Sequence, residues 1–121
     1  MQKIYDLLFH IGANPSYKGY HYLAYIVYRI ITQSSEPSPF LIKDFYTDAA
    51  QHFHTSPDSI QQGIRTFLKA YWTYGNGKYF QHVTGYKGTI PIPSKDFVAV
   101  LADYLLMHQA GSKHRVNAKR T

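Results

Sequence analysis

Apolar side chains recur every three or four residues along most of this chain, which is the spacing of one face of an α-helix. The pattern predicts helices over residues 3–11, 17–33, 40–53, 57–74, 78–84 and 95–108. Glycine, proline and serine residues separate these segments, and there is no internal repeat. We therefore expect an all-α chain that folds as a single domain of five to six helices.

The fourth predicted helix has the most complete start and stop signals. Thr55 or Ser56 can cap the free N–H groups of its first turn, and Pro57 suits that turn. Asp58 adds negative charge at the positive end of the helix dipole, and Gly75 is a natural stop. Its apolar side chains fall on one face: Ile60, Ile64, Phe67, Leu68, Tyr71 and Trp72.

The opposite face of this helix is polar and contains no carboxylate. It consists of Gln61, Gln62, Arg65, Thr66 and Lys69. Amides, a guanidinium, a hydroxyl and an ammonium are the groups that hydrogen-bond base edges and phosphates in the major groove of DNA. An ordinary solvated helix face is the alternative interpretation.

The preceding helix favours the DNA interpretation. It places Leu41, Phe45, Ala49 and Phe53 at spacings of four, and only residues 54–56 separate it from the next helix. Two helices joined by so tight a turn form a helix-turn-helix, whose second helix enters the groove. The candidate DNA-binding residues are therefore Ser56, Ser59, Gln61, Gln62, Arg65, Thr66 and Lys69.

The remaining segments connect or terminate helices. Residues 34–39 contain two prolines and three serines and predict a loop. Residues 86–93 predict extended chain that can form a small wing, although their prolines disfavour a paired hairpin. Ser94 is expected to cap the last helix and Gly111 to end it. We expect a helical domain over residues 1–112 and a basic, disordered tail over residues 113–121.

The net charge of +6 is concentrated in two places. Residues 1–112 carry nine basic and seven acidic groups, so the tail supplies most of the excess. Between Ser59 and Lys95 there are five basic residues and no acidic one. This distribution, rather than the total charge, favours a polyanionic partner.

Other kinds of chemistry find little support. The chain has no cysteine, signal peptide or apolar stretch long enough to cross a bilayer, so we expect a cytoplasmic protein without disulfides or a membrane partner. His52 and His54 lie two residues apart with no third ligand at a recognisable spacing, which disfavours a metal site. No phosphate loop, nucleophile motif or carboxylate pair is present, and we expect neither a cofactor nor enzymatic activity.

Short motifs spread along the chain resemble a known family. They are Ile11-Gly12, Lys18-Gly19-Tyr20, Tyr22-Leu23, Tyr46, Asp48, Ala50, Phe53, Ile64-Arg65, Trp72, Gly75-Asn76, Gly85-Tyr86, Phe97 and Ala102-Asp103. With these motifs in this order, the chain resembles the C-terminal DNA-binding effector domain of sporulation-initiation response regulators. The resemblance runs from about Ile11 to His108.

The resemblance implies a six-helix domain that binds a short box of double-stranded DNA through this helix-turn-helix. Such domains act on transcription, often as a tandem dimer on DNA. The family's proteins begin with a phosphoacceptor receiver domain, whereas Met1 here starts almost directly at the effector domain. We therefore expect no receiver domain and no switch by aspartyl phosphorylation in this chain.

The recognition helix departs from the family pattern. The family has Glu-Arg at the positions of Gln61 and Gln62 and a histidine at Thr66, while Arg65 is kept. Because a base-contacting arginine contributes about 1–3 kcal/mol of discrimination, we expect the family's operator to be read poorly, and glutamine can favour adenine instead. The lost contacts also keep an alternative open. In that alternative the chain is an interaction module that antagonises or modulates RNA polymerase or a full-length regulator without reading DNA.

Overall fold

The computed structural model describes residues 1–33 and 39–118, with side chains described over residues 1–32 and 44–108. The described part of the chain folds into six α-helices and contains no strand. The helices are α1 (Gln2–His10), α2 (Lys18–Gln33), α3 (Pro39–His52), α4 (Pro57–Thr73), α5 (Gly77–Thr84) and α6 (Ser94–Ala118). The all-α single domain expected from the apolar spacing is confirmed. Of the predicted loop over residues 34–39, residues 34–38 lie outside the described residues, and Pro39 begins α3.

α2 is the central helix, because it packs against α1, α3, α4 and α6. Its inward face is completely buried and consists of Leu23, Ala24, Ile26, Val27 and Ile30. The apolar stripe of α4 is also buried, from Ile60 through Tyr71. α5 and α6 complete the core with Phe80 and Phe97, whose rings stack with their centroids 4.8 Å apart. The recognition helix is thus held along its inner side by the rest of the domain.

The α2–α4 contact depends on two glycines. A Cβ atom on Gly19 would overlap the backbone carbonyl of Gly63, and a Cβ atom on Gly63 would lie 2.8 Å from the Tyr22 ring. The two helix backbones therefore approach more closely than any larger side chain allows. This contact places the first turn of α2 beside the first half of α4.

Three of the predicted helices end at a glycine whose backbone is in the left-handed conformation. Gly12, Gly75 and Gly85 have φ angles of +81°, +77° and +76°, as the stop signals predicted. The prediction that Gly111 stops the last helix is wrong, because α6 continues to Ala118. Glycine inside a helix costs about 1 kcal/mol but keeps its backbone hydrogen bonds, so it does not end a helix by itself.

The beginning and the end of α6 also differ from expectation. The helix begins at Ser94 itself, and the carbonyl of Pro93 accepts the first helical hydrogen bond from Phe97. The expected tail over residues 113–121 overlaps the last turns of α6, and residues 119–121 lie outside the described part. The domain boundary at residue 112 stays a prediction.

Residues 86–93 form no paired strand, so the chain has no hairpin wing there. The segment is held against the core by buried Ile92 and by a hydrogen bond from Gln81 Nε2 to the Gly88 carbonyl. Trp72, expected in the core, is only partly buried. One side of its ring packs on Phe80 and Phe97, while the residue also lines a surface cleft. No helix of the described residues is both long and apolar enough to cross a bilayer.

Candidate nucleic-acid interface

The turn between α3 and α4 spans residues 53–56. His54 has a positive φ angle of 57°, which reverses the chain direction. The next N–H group, from Thr55, donates to the Ala50 carbonyl at 2.9 Å, as in a left-handed helix cap. Phe53 anchors the turn, with its ring centroid 4.9 Å from that of Tyr22. Two packed helices joined in this way are the helix-turn-helix predicted from the sequence.

Ser56 is the N-cap of α4, as predicted. Its Oγ atom accepts a hydrogen bond from the Ser59 N–H at 3.1 Å and donates one to Ser59 Oγ, also at 3.1 Å. Pro57 occupies the first turn and Asp58 supplies the predicted negative charge. The Ser56 hydroxyl thus both donates and accepts a hydrogen bond at the start of α4. In this conformation Ser56 stabilises the helix, although the sequence placed it among the candidate DNA-binding residues. The hydroxyl hydrogen of Ser59 stays available to an acceptor.

The other five candidate residues lie together on the outward face of α4. Gln62, Arg65, Thr66 and Lys69 are exposed, and Gln61 is half-buried. Helical spacing arranges them in two rows, one of Gln61, Arg65 and Lys69 and the other of Gln62 and Thr66. None of the described residues forms an ion pair with Arg65 or Lys69. Their donors are therefore directed to solvent.

Two clefts run along the sides of this outward face. The first, here called the α6 cleft, is lined by Gln61, Arg65, Leu68, Lys69, Trp72 and residues 91–96. The second, the α2 cleft, is lined by Tyr17, Lys18, Gly19, Tyr22, Thr55, Ser59, Gln62, Gly63 and Thr66. α4 thus stands as a ridge between two grooves, each lined by both polar and apolar side chains.

Each cleft contributes a lysine that is not among the seven candidate DNA-binding residues. Lys18, at the start of α2, lines the α2 cleft, and Lys95, in the first turn of α6, lines the α6 cleft. Neither is close to α4 in sequence, so only the folded contacts reveal their position. The Gly19–Gly63 approach is the signal that places Lys18 beside the recognition helix. The α6 cleft also contains Asp96, so the surface around α4 is not entirely free of carboxylates.

An ion pair fixes α3 against α2 behind the interface. Arg29 Nε donates to Asp48 Oδ2 at 2.6 Å, and the Tyr25 hydroxyl donates to the same oxygen at 3.1 Å. The hydrogen bond with Asp48 raises the pKa of Arg29 above its ordinary value. His52 stacks on Tyr25 with ring centroids 4.2 Å apart. The motif is therefore attached to the central helix at the end of α3 that leads into the turn.

Tyr46 is a buried core residue of α3, the helix that packs against α4. Burial raises the pKa of its hydroxyl, while the nearby Ser94 hydroxyl and Arg65 guanidinium lower it. Tyr46 is only 5% exposed, and its oxygen has no hydrogen-bond partner among the described residues. Most buried hydroxyls are hydrogen-bonded, and the Ser94 hydroxyl is the neighbouring group that can serve as the partner of this one.

The histidines and carboxylates do not assemble into a metal centre within the described residues, where no group of three or more could hold an ion. The polar face of α4, its two flanking clefts and the cap at Ser56 are thus the chemistry that this fold presents.

Comparison with known protein families gives a match over most of the chain. The family model described as "Sporulation initiation factor Spo0A C terminal" matches residues 4–105. The match includes the helix-turn-helix and both clefts, so it covers the whole candidate interface. The chain therefore belongs to the family of C-terminal, DNA-binding effector domains of the sporulation initiation factor.

Proposed function

We propose that this chain is a sequence-specific transcriptional regulator that reads double-stranded DNA with the outward face of α4. One observation carries the proposal: Gln61, Gln62, Arg65, Thr66 and Lys69 share the outward face of α4, between two clefts that each contain a lysine. A helix-turn-helix presents this part of its second helix to base edges in the major groove. The flanking lysines are at the sides of the helix, where the phosphate backbones of the groove run.

The residues on the outward face of α4 have different roles in this proposal. Arg65 can donate two hydrogen bonds to one guanine, and either glutamine can pair with adenine. Lys69 is a full turn further along the helix, so it reaches phosphate rather than bases. Binding as a tandem dimer on DNA, as the family resemblance implies, would double the length of the sequence read.

The first prediction tests the reading role of Arg65. Arg65→Ala should weaken specific binding by about 1–3 kcal/mol and relax preference at one base pair, because a bidentate guanine contact is lost. Gln62→Arg should move the preferred sequence toward the box of the relatives. The measurement is a binding-site selection at a stated salt concentration, with wild type and both variants in parallel.

Lys78→Ala is the matched control for this experiment. Lys78 is an exposed cation on α5, over the Tyr79 ring and outside both clefts, so its removal should leave the selected sequence unchanged. If Arg65→Ala and Gln62→Arg select the same sequence as wild type and lose affinity uniformly, α4 does not read bases and the proposal fails.

A second candidate function rests on exposed aromatic side chains away from this face. Tyr74 and Tyr79 flank the turn between α4 and α5 and are 77% and 47% exposed, and Phe9 on α1 is 76% exposed. Exposed aromatic residues are typical of protein contacts. We infer a second role as an interaction module for RNA polymerase or a full-length regulator. Tyr74→Ser should then reduce regulation of a reporter without changing DNA affinity.

A further inference from the structure

The α6 cleft has an apolar floor that DNA binding does not require. The cleft has a volume of 860 Å³, which is within the usual range for ligand sites. The apolar floor consists of Leu68, Trp72, Pro91, Ile92 and Pro93. Pro91 and Pro93 are exposed, and neither has a backbone N–H group that could donate to a phosphate oxygen. This wall of the cleft therefore suits an apolar side chain better than it suits a sugar-phosphate backbone.

Trp72 is the residue of the floor that can anchor such a side chain. It is half-buried, and its ring meets the rings of Phe80 and Phe97 edge to face at centroid distances of 5.8 and 5.6 Å. These contacts fix the indole from the core side, while the residue still lines the cleft. A rigid aromatic side chain binds an apolar group with little loss of conformational entropy, which is why tryptophan is enriched in protein contacts.

Positive charge surrounds the apolar floor. Three basic residues line the cleft, here called the basic rim: Arg65 and Lys69 of α4 and Lys95 of α6. Asp96 is the only carboxylate among the lining residues, and it lies in the first turn of α6, where the positive end of the helix dipole offsets its charge. An apolar floor with a basic rim is complementary to a ligand that is both apolar and acidic.

We propose that the α6 cleft docks an acidic peptide segment of a partner protein, with an apolar side chain on Trp72 and carboxylates at the basic rim. Arg65 and Lys69 belong both to this cleft and to the outward face of α4, so the segment and DNA cannot use them at the same time. The segment therefore competes with DNA and regulates the site. This competition rests on the proposed function, whereas docking in the cleft does not.

The fluorescence of Trp72 tests the docking directly, because the chain contains no other tryptophan. The probe is a short peptide of alternating glutamate and leucine, which has no aromatic side chain of its own. We expect saturable binding and a shift of the Trp72 emission to shorter wavelength, since a leucine side chain displaces water from the indole. An unshifted emission with the probe, together with a shift on addition of a DNA duplex, would assign the cleft to DNA alone and overturn the proposal.

Two control peptides separate apolar contact from charge. A glutamate–serine peptide should bind at least about tenfold more weakly, because it has no side chain that buries apolar surface on the floor. A lysine–leucine peptide should not bind, because the basic rim repels it. Equal binding of either control and the probe would overturn the proposal.

Substitutions in the protein test the same site from the other side. Pro93→Glu adds a carboxylate to the exposed wall and should weaken probe binding about tenfold. Asp96→Asn removes the carboxylate of the lining and should strengthen binding about threefold. Lys78→Ala is the matched control, since it removes a cation outside the cleft, and it should bind the probe like wild type. Wild-type affinity in both cleft variants, with their folding checked by circular dichroism, would place the peptide elsewhere and overturn the proposal.

A competition experiment tests the regulatory consequence. The probe should release the selected DNA duplex from wild type, and the glutamate–serine peptide should do so only at a concentration about tenfold higher. If the probe shifts the Trp72 emission but leaves DNA affinity unchanged, the regulatory role is overturned. If wild type selects no DNA sequence, the proposed function fails, and the fluorescence titration still decides whether the cleft docks an acidic segment.

Discussion

At position 54 the backbone adopts a left-handed conformation although the residue is a histidine. The φ angle of 57° is needed for the Thr55 N–H to reach the Ala50 carbonyl and close the end of α3. A residue with a Cβ atom pays about 1–2 kcal/mol for this conformation, whereas glycine adopts it freely. The sequence did not predict this conformation, because neither glycine nor asparagine marks the position.

His54→Gly should therefore stabilise the domain. We expect the free energy of unfolding to rise by about 0.5–1 kcal/mol in urea titration, since strain relief outweighs the larger entropy of glycine in the unfolded chain. Gln51→Gly, at an exposed position of α3, is the control, and it should lower the same quantity by about 1 kcal/mol. Equal losses in the two variants would mean that position 54 carries no strain.

Individual side chains differ in how well the sequence predicted them. Capping by Ser56 followed from local chemistry, because an N-cap needs only its own helix. The outward placement of Arg65 followed from helical spacing. The hydroxyl of Tyr46 could not be placed in this way, because its surroundings combine residues from α3, α4 and α6. Contacts between distant segments have no local signature.

At the scale of elements, the α2–α4 crossing determines where the recognition helix lies. Gly19→Ala would place a methyl group against the Gly63 carbonyl, and backbone atoms cannot move aside as a side chain can. We expect the free energy of unfolding to fall by about 2–3 kcal/mol, the upper part of the range for overpacking. Urea titration is the measurement.

Gly63→Ala is the comparison for this prediction. The methyl group there would meet the Tyr22 ring, which can rotate, so its cost should be smaller than that of Gly19→Ala. The reverse order would show that α2 and α4 are not in backbone contact at this crossing.

Helix positions were predicted well because apolar spacing and caps are local signals. The predicted bounds of α1 to α5 agree with the structure to within two residues. The end of α6 was missed by about ten residues, since Gly111 is tolerated within a helix and nothing else in the sequence marks a stop. The partners of each helix were not predictable, because many helix arrangements bury the same apolar stripes.

At the scale of the whole molecule, the proposed DNA binding depends more on where the positive charges lie than on the net charge. Lys18 and Lys95 flank α4 although they are 77 positions apart in the numbering of the chain. Each phosphate neutralised contributes a slope of about −0.9 to the plot of log affinity against log salt. Lys18→Ala and Lys95→Ala should each reduce the slope by about one and weaken all DNA sequences alike.

Fluorescence anisotropy across a salt series measures these slopes, with Lys78→Ala as the control that should retain the wild-type slope. An unchanged slope in both cleft variants would remove the clefts from the DNA interface. A changed sequence preference in either variant would mean instead that the lysine reads a base.

The division of α4 into a buried inner side and an unpartnered outer face has a consequence for how such regulators diverge. Gln62 and Thr66 are exposed, so the effect of substitutions there on folding should stay within about 0.5 kcal/mol. Where this face reads DNA as proposed, duplicated copies of the domain can acquire new operators by a few surface changes while one scaffold is retained. A genome can in this way hold several related regulators whose target genes are insulated from one another by side-chain identity alone.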